Sequence, residues 1–313
     1  MKANKSYDTA TLLKLATYAS TATAVVLIGV KCVAWFMTGS LSVMASLVDS
    51  LMDAAASLIN LFAVRYSLKS ADEDHQFGHG KAEALAGLGQ ACFIAGSAIF
   101  LLMQAIERLH HPQPLQDLGV GMWVMVFAIA ATILLLAFQG YVIKQTNSSA
   151  IRADSLHYKT DLLTNTATIF ALFFVASGWP LLDPLGALAI AGYILYSAWQ
   201  IGQEAMQILM DRELPEETRQ RICDIVLAHA TVLGIHDLRT RQSGQTMHLQ
   251  LHLDLDQGLP LAEAHRVADE VELAIMAIFP QADVLIHQDP RNPARYRRNP
   301  QKCQEQLPTN RGG

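Results

Sequence analysis

Three stretches of this chain are free of charge and long enough to cross a bilayer: Ala84 to Ile106, Leu118 to Ile143 and Pro184 to Gln203. A membrane-spanning helix needs about 20 mainly apolar residues. Backbone in lipid must satisfy its own hydrogen bonds, so such stretches become helices rather than loops or open sheet. Three further stretches carry a few charges but are otherwise apolar: about Thr11 to Trp35, Leu41 to Val64 and Ser149 to Ala176. The expectation is a polytopic α-helical membrane protein with six transmembrane helices, its outer surface against membrane lipid. Composition agrees, since only 16% of residues are charged and soluble domains carry about a quarter. The net charge of −5 shows no basic bias, which argues against nucleic acid as a partner. The four cysteines form no C-x-x-C and are expected to be reduced apolar fillers.

Orientation follows from Lys and Arg in short loops. Lys2 and Lys5 precede the first span, Arg65, Lys69 and Lys81 follow the second, and Lys144 and Arg152 lie around the fourth-to-fifth connection. The opposite loops hold little beyond Arg108. N- and C-termini are therefore expected in the cytoplasm.

From Asp211 charges become frequent and apolar residues periodic. Pro215 to Ala230 reads as a helix, with Glu216 and Glu217 in its first turn. Ile235 to Gln242 reads as a strand, and Ser243-Gly244-Gln245 as a turn. Thr246 to Leu255 alternates, with Met247, Leu249, Leu251, Leu253 and Leu255 on one face and His248, Gln250, His252 and Asp254 on the other. A second amphipathic helix over Leu261 to Phe279 and a strand over Asp283 to His287 complete an αββαβ order, a two-layer α+β domain of ferredoxin-like type. The expected divisions are residues 1–10 as a cytoplasmic N-terminus, 11–210 as the transmembrane domain, 211–290 as a cytoplasmic domain and 291–313 as a disordered tail.

The charges inside the spans carry the chemistry. Asp49 and Asp53 are four apart in the second span, and His157 and Asp161 four apart in the fifth. Each pair lies on one helix face. An unpaired carboxylate at that depth costs about 3 kcal/mol or more, and spans three, four and six offer no Lys or Arg to pair with. A divalent cation resolves the conflict, because four N/O ligands from two helices suit a tetrahedral site. Metal ligands must be deprotonated, so binding releases protons. A site that faced each side in turn would exchange metal for protons.

These residues resemble the cation diffusion facilitator family, and the YiiP-type bacterial ferrous-iron efflux members most closely. The resemblance rests on Asp49-x-x-x-Asp53 and His157-x-x-x-Asp161, on the run from His75 through His79, Lys81 and Glu83, on Asp237 to Gly244 and on Val284 to Pro290. It implies a proton-coupled homodimer in the bacterial inner membrane. It implies Asp49, Asp53, His157 and Asp161 as the transport site, and Asp72, His75 and His79 as a second metal site in the loop after span two. It implies His236, His252, His265, His287 and Asp289 as a two-metal cluster in the cytoplasmic domain. It also implies Lys81 and Asp211 as a charge pair at the dimer interface, and Leu156 as an apolar gate. Taken by spacing alone, Asp72, His75 and His79 stand at i, i+3 and i+7, where one helix face could carry all three and a solvated loop fits equally well.

One imidazole among three carboxylates is of borderline softness, which favours Zn²⁺ and tolerates Cd²⁺ and Fe²⁺. An intramembrane metalloprotease would need H-E-x-x-H, which is absent, so no enzyme activity is expected. A passive metal channel is the closer rival, but conduction favours weak or multiple sites over one desolvating site.

Overall fold

The computed structural model describes residues 4–38, 41–110, 119–176 and 182–291. They separate into two compact units, Met1–Leu209 and Met210–Gly313. The first holds six long helices: α1 (Asn4–Thr38), α2 (Leu41–Ser67), α3 (Lys81–His110), α4 (Gly119–Thr146), α5 (Ser149–Ala176) and α6 (Leu182–Leu209). The shortest has 27 residues, about 40 Å of helix at 1.5 Å per residue. Four meet both length and apolarity for a span: α1 over Thr9–Met37, α3 over Lys81–Glu107, α4 over Met122–Thr146 and α6 over Leu185–Leu209. These four are the ones found among the described residues.

The helices pack as pairs. α3 runs along α6 and α1 along α2, α5 lies against α3, α4 and α6, and α2 meets α5 over a short stretch. Their interfaces bury small residues such as Ala91, Ala98, Ala198 and Ala205, which lets the backbones approach closely where lipid supplies no hydrophobic drive. Large apolar side chains such as Phe36, Trp123, Leu134 and Trp199 face outward. α5 starts where Asn147 turns with φ +51° and the Ser148 hydroxyl accepts the Ile151 N–H at 3.2 Å, an N-cap. The buried Glu83 carboxylate of α3 accepts from the Ser149 and Ala150 backbone N–H groups, a negative charge at a helix N-terminus. These contacts seat the helix that bears His157.

The second unit has α7 (Glu216–Leu227), β1 (Gly234–Ser243), β2 (Thr246–Leu255), α8 (Leu261–Ile278) and β3 (Ala282–Pro290), in the expected αββαβ order. The sheet order is β1-β2-β3, with β1 and β2 antiparallel and β2 and β3 parallel. A two-residue turn with Gly244 at φ +57° joins β1 to β2, and glycine is suited to that left-handed position. Leu249, Leu251, Leu253 and Leu255 are buried against Ile222 and Val226 of α7 and Val267, Val271 and Ile275 of α8, as their alternation requires. Of the cysteines, Cys32 and Cys92 are free. Cys223 is buried in the core of the second unit.

Candidate metal sites

Three groups of metal-ligating side chains converge among the described residues. In each, one ligand atom per residue lies within 4.8 Å of the others.

The first joins α2 to α5. His157 Nε2 lies 3.0 Å from Asp53 Oδ1 and 3.9 Å from Asp161 Oδ2. His157 is almost fully buried, while Asp53 and Asp161 are partly exposed. Although Asp53 is close, His157 Nε2 makes no hydrogen bond of proper angle. Two carboxylates converging on one buried imidazole nitrogen is how donors sit around a common cation. Phe93 meets the ring edge-on. Asp49 lies on α2, and its side chain is outside the described residues. Leu156, one residue before His157, is buried against Ile94, Ala98, Ile194 and Ala198.

Sequence reading missed two charges near this site. Asp154 precedes His157 by three residues on α5 and is fully buried. Its two oxygens accept from Gln90 Nε2 at 3.2 Å and Gln139 Nε2 at 2.7 Å. Lys31 of α1 donates to Ser50 Oγ at 2.6 Å and to the Ser46 carbonyl at 3.0 Å. A lysine inside an apolar run was a usable signal, and its partners on α2 were not.

The second group lies between α2 and α3. Asp72 Oδ1 is 3.3 Å from His75 Nδ1 and Asp72 Oδ2 is 3.3 Å from His79 Nε2. His79 is buried, and its Nε2 also lacks a hydrogen bond. Of the two placements the spacing allows, the structure has the loop, because residues 70–80 form turns and bends. The Asp72 carboxylate accepts the His75 N–H at 2.9 Å, and Gly78 takes φ +76°. Lys69 Nζ sits 2.6 Å from Asp72 Oδ2. That hydrogen bond holds the Asp72 carboxyl well below the usual carboxylate range, and the ammonium occupies an oxygen that a metal would use.

The third group is a row across the sheet. His236 pairs in register with His252 and His252 with His287. Asp289 is their hub: its Oδ2 lies 3.2 Å from His236 Nε2 and 2.9 Å from His252 Nδ1, and its Oδ1 is 3.3 Å from His287 Nε2. A bulge between His236 and Arg239, with Asp237 at φ +49°, turns the strand beside this row. Asp254, unassigned by sequence, stands 3.5 Å from His236 Nδ1. Burial pushes its carboxyl up, and His236 offsets part of that. His265 lies apart, exposed on α8 and 3.7 Å from Asp269. His248 is likewise outside the row and binds Asp283 at 2.9 Å. Lys81 donates to the Leu209 carbonyl at 3.4 Å in the first unit. In the second, Asp211 lies 3.5 Å from Arg241.

Helices apolar enough to span, with carboxylates and an imidazole converging between two of them, match known proteins over nearly the whole chain. Residues 17–210 match the cation efflux transmembrane domain, and residues 214–291 match the cytoplasmic domain of cation efflux proteins. The chain belongs to the cation diffusion facilitator family. The cation-efflux pump FieF of Yersinia enterocolitica is 53% identical over 281 residues, covering 90% of this chain and 94% of the relative. That of Escherichia coli K12 is 52% identical over 287 residues, covering 92% and 95%. A solved structure of CzrB, described as a candidate zinc transporter, is 36% identical over 25% of this chain and 99% of its own, with a TM-score of 0.25. This facilitator is thus a multi-pass membrane transporter of divalent metal cations and not an enzyme.

Proposed function

We propose that this protein exports Zn²⁺ foremost, and also Cd²⁺ and Fe²⁺, from the cytoplasm in exchange for protons. In this reading it is a homodimer in the bacterial inner membrane, with six spanning helices per protomer and both termini cytoplasmic. The transported ion binds Asp49 and Asp53 of α2 with His157 and Asp161 of α5. The observation that carries the reading is the approach of Asp53 and Asp161 to the buried Nε2 of His157. Departure of the dication leaves carboxylates and an imidazole that must take up protons or remain charged in a low-dielectric site. That exchange of charge is the coupling. Leu156, packed in an apolar cluster next to the ligand, would close the path around it.

Asp72, His75 and His79 would take a second ion on the cytoplasmic approach. His236, His252, His287 and Asp289 fit resident Zn²⁺, since imidazoles and a carboxylate are its usual donors. His265 would join from a second protomer, as it stands apart from the row in its own chain. Lys81 and Asp211 would pair at the dimer interface.

The test is flux into proteoliposomes with and without an imposed pH gradient. Zn²⁺ flux should rise with an opposing proton gradient, and Asp53→Ala should abolish it. Flux indifferent to the gradient would instead indicate a passive channel.

A further inference from the structure

Beside the metal ligands lies a knot of three buried hydroxyls that the transport reading does not use. Tyr158 follows His157 on α5 and is 1% exposed. Its Oη donates to the Ser20 carbonyl of α1 at 3.1 Å and lies 3.0 Å from Ser57 Oγ of α2. Ser20 Oγ is 3.2 Å from Ser57 Oγ and 3.3 Å from Tyr158 Oη. Ser20 and Ser57 are each 1% exposed. Ser57 is one helical turn from Asp53, on the same face of α2. Tyr158, next to His157 on α5, is therefore tied to Ser57, one turn from Asp53 on α2, close to the His157–Asp53 contact at 3.0 Å.

The placement has a mechanical consequence. α2 and α5 touch over only a short stretch, so a few contacts fix their separation. A hydrogen-bonded tie between rigid helices does this more sharply than apolar packing, because it has one preferred length and direction. A second polar tie acts on α5 one turn earlier, where Asp154 is clamped by Gln90 of α3 and Gln139 of α4. The side of α5 that bears His157 is thus referenced to four other helices, and the reference to α2 runs through Tyr158. Ligand sites hold their geometry only when neighbouring groups fix the ligands.

We infer that Tyr158 is a positioning residue which, through Ser57 and Ser20, sets the α2–α5 spacing and hence the size of cation on which Asp53, His157 and Asp161 close. This rests on the transport reading above. Removing the tie lets the helices part slightly, which weakens binding of the smaller Zn²⁺ more than that of the larger Cd²⁺.

The experiment is initial-rate transport of Zn²⁺ and of Cd²⁺ against concentration by the full-length chain in proteoliposomes. The variants are Tyr158→Phe, Ser57→Ala, the double variant and Asp53→Ala. Tyr158→Phe and Ser57→Ala should each raise the KM for Zn²⁺ about five- to tenfold, the scale of one buried hydrogen bond. Maximal rates should change less than about twofold, and the KM for Cd²⁺ should also change less than about twofold. The double variant should be no worse than either single one, because both cut the same tie. If Tyr158→Phe does not fold, Ser57→Ala decides alone. An unchanged Zn²⁺/Cd²⁺ preference, or an equal loss of maximal rate for both metals at constant KM, would reduce the knot to packing and overturn the inference. A wild type that moves neither metal, or an Asp53→Ala variant as active as wild type, would take the transport reading down with it.

Discussion

Among the described residues His157 brings the one nitrogen donor to a group otherwise made of carboxylates, so in the proposed transport site the preference among metals turns on it. An all-oxygen set favours harder ions. His157→Asp should therefore raise Mn²⁺ transport relative to Zn²⁺ by about tenfold, measured by competition flux, and an unchanged ratio would remove His157 from selectivity. Lys69 acts in the opposite sense at the loop group, since its ammonium lies 2.6 Å from Asp72 Oδ2. The pair is half-exposed and screened, so it is weak. Lys69→Ala should tighten Zn²⁺ binding at the loop about two- to fivefold, read by metal titration of a variant lacking Asp53. At this scale the sequence was most legible where a residue was out of place. Asp53, His157 and Asp161 stood out because charge in an apolar run is expensive. Asp154 had the same signal, but its partners Gln90 and Gln139 lie on two other helices, and a sequence does not carry that registry.

α2 carries a polar stripe: Ser46, Ser50, Asp53, Ser57 and Asn60 recur at helical spacing along one face. Lys31 binds its first two members, His157 approaches the third and Tyr158 the fourth. Asn60 is 1% exposed, and neither atom of its amide has a hydrogen-bond partner among the described residues. An unsatisfied buried amide costs about 1–3 kcal/mol, and leucine keeps the branched shape, at a larger volume, without the polar atoms. Asn60→Leu should raise the unfolding midpoint of the protein in detergent, and a lower midpoint would show that the amide has a stabilising partner. In the sheet, Leu251 is 1% exposed, so Leu251→Ala should cost about 2–5 kcal/mol, seen as earlier loss of cytoplasmic-unit structure in denaturant. β2 was readable because strict alternation leaves one answer. The loop group was ambiguous by spacing, because i, i+3, i+7 fits a helix face and a tight loop alike, and here it is a loop closed by the Asp72–His75 hydrogen bond and the left-handed Gly78.

The whole molecule joins a helical membrane unit to a small sheet unit, the first with two metal-ligating groups among the described residues and the second with one. Apolar length and a shift in composition at Asp211 were enough to read both. His265 was named by the resemblance alone, because it stands exposed on α8 apart from the row, and one sequence holds no record of assembly. If the sheet unit senses metal, flux in wild type should rise more steeply than hyperbolically with cytoplasmic Zn²⁺, and a His236→Ala, Asp289→Ala double variant should lose that steepness. An unaltered hyperbolic response in both would make the cluster a structural clip. The central claim is that α2 and α5 hold one dication between them. X-ray absorption at the zinc edge tests it most directly, on full-length protein whose loop and sheet groups are disabled by His79→Ala and His236→Ala, Asp289→Ala. The account predicts one Zn²⁺ per chain with a single imidazole and oxygen donors at about 2.0–2.1 Å, lost on His157→Ala. Zinc retained in that variant with an unchanged imidazole signal would contradict it.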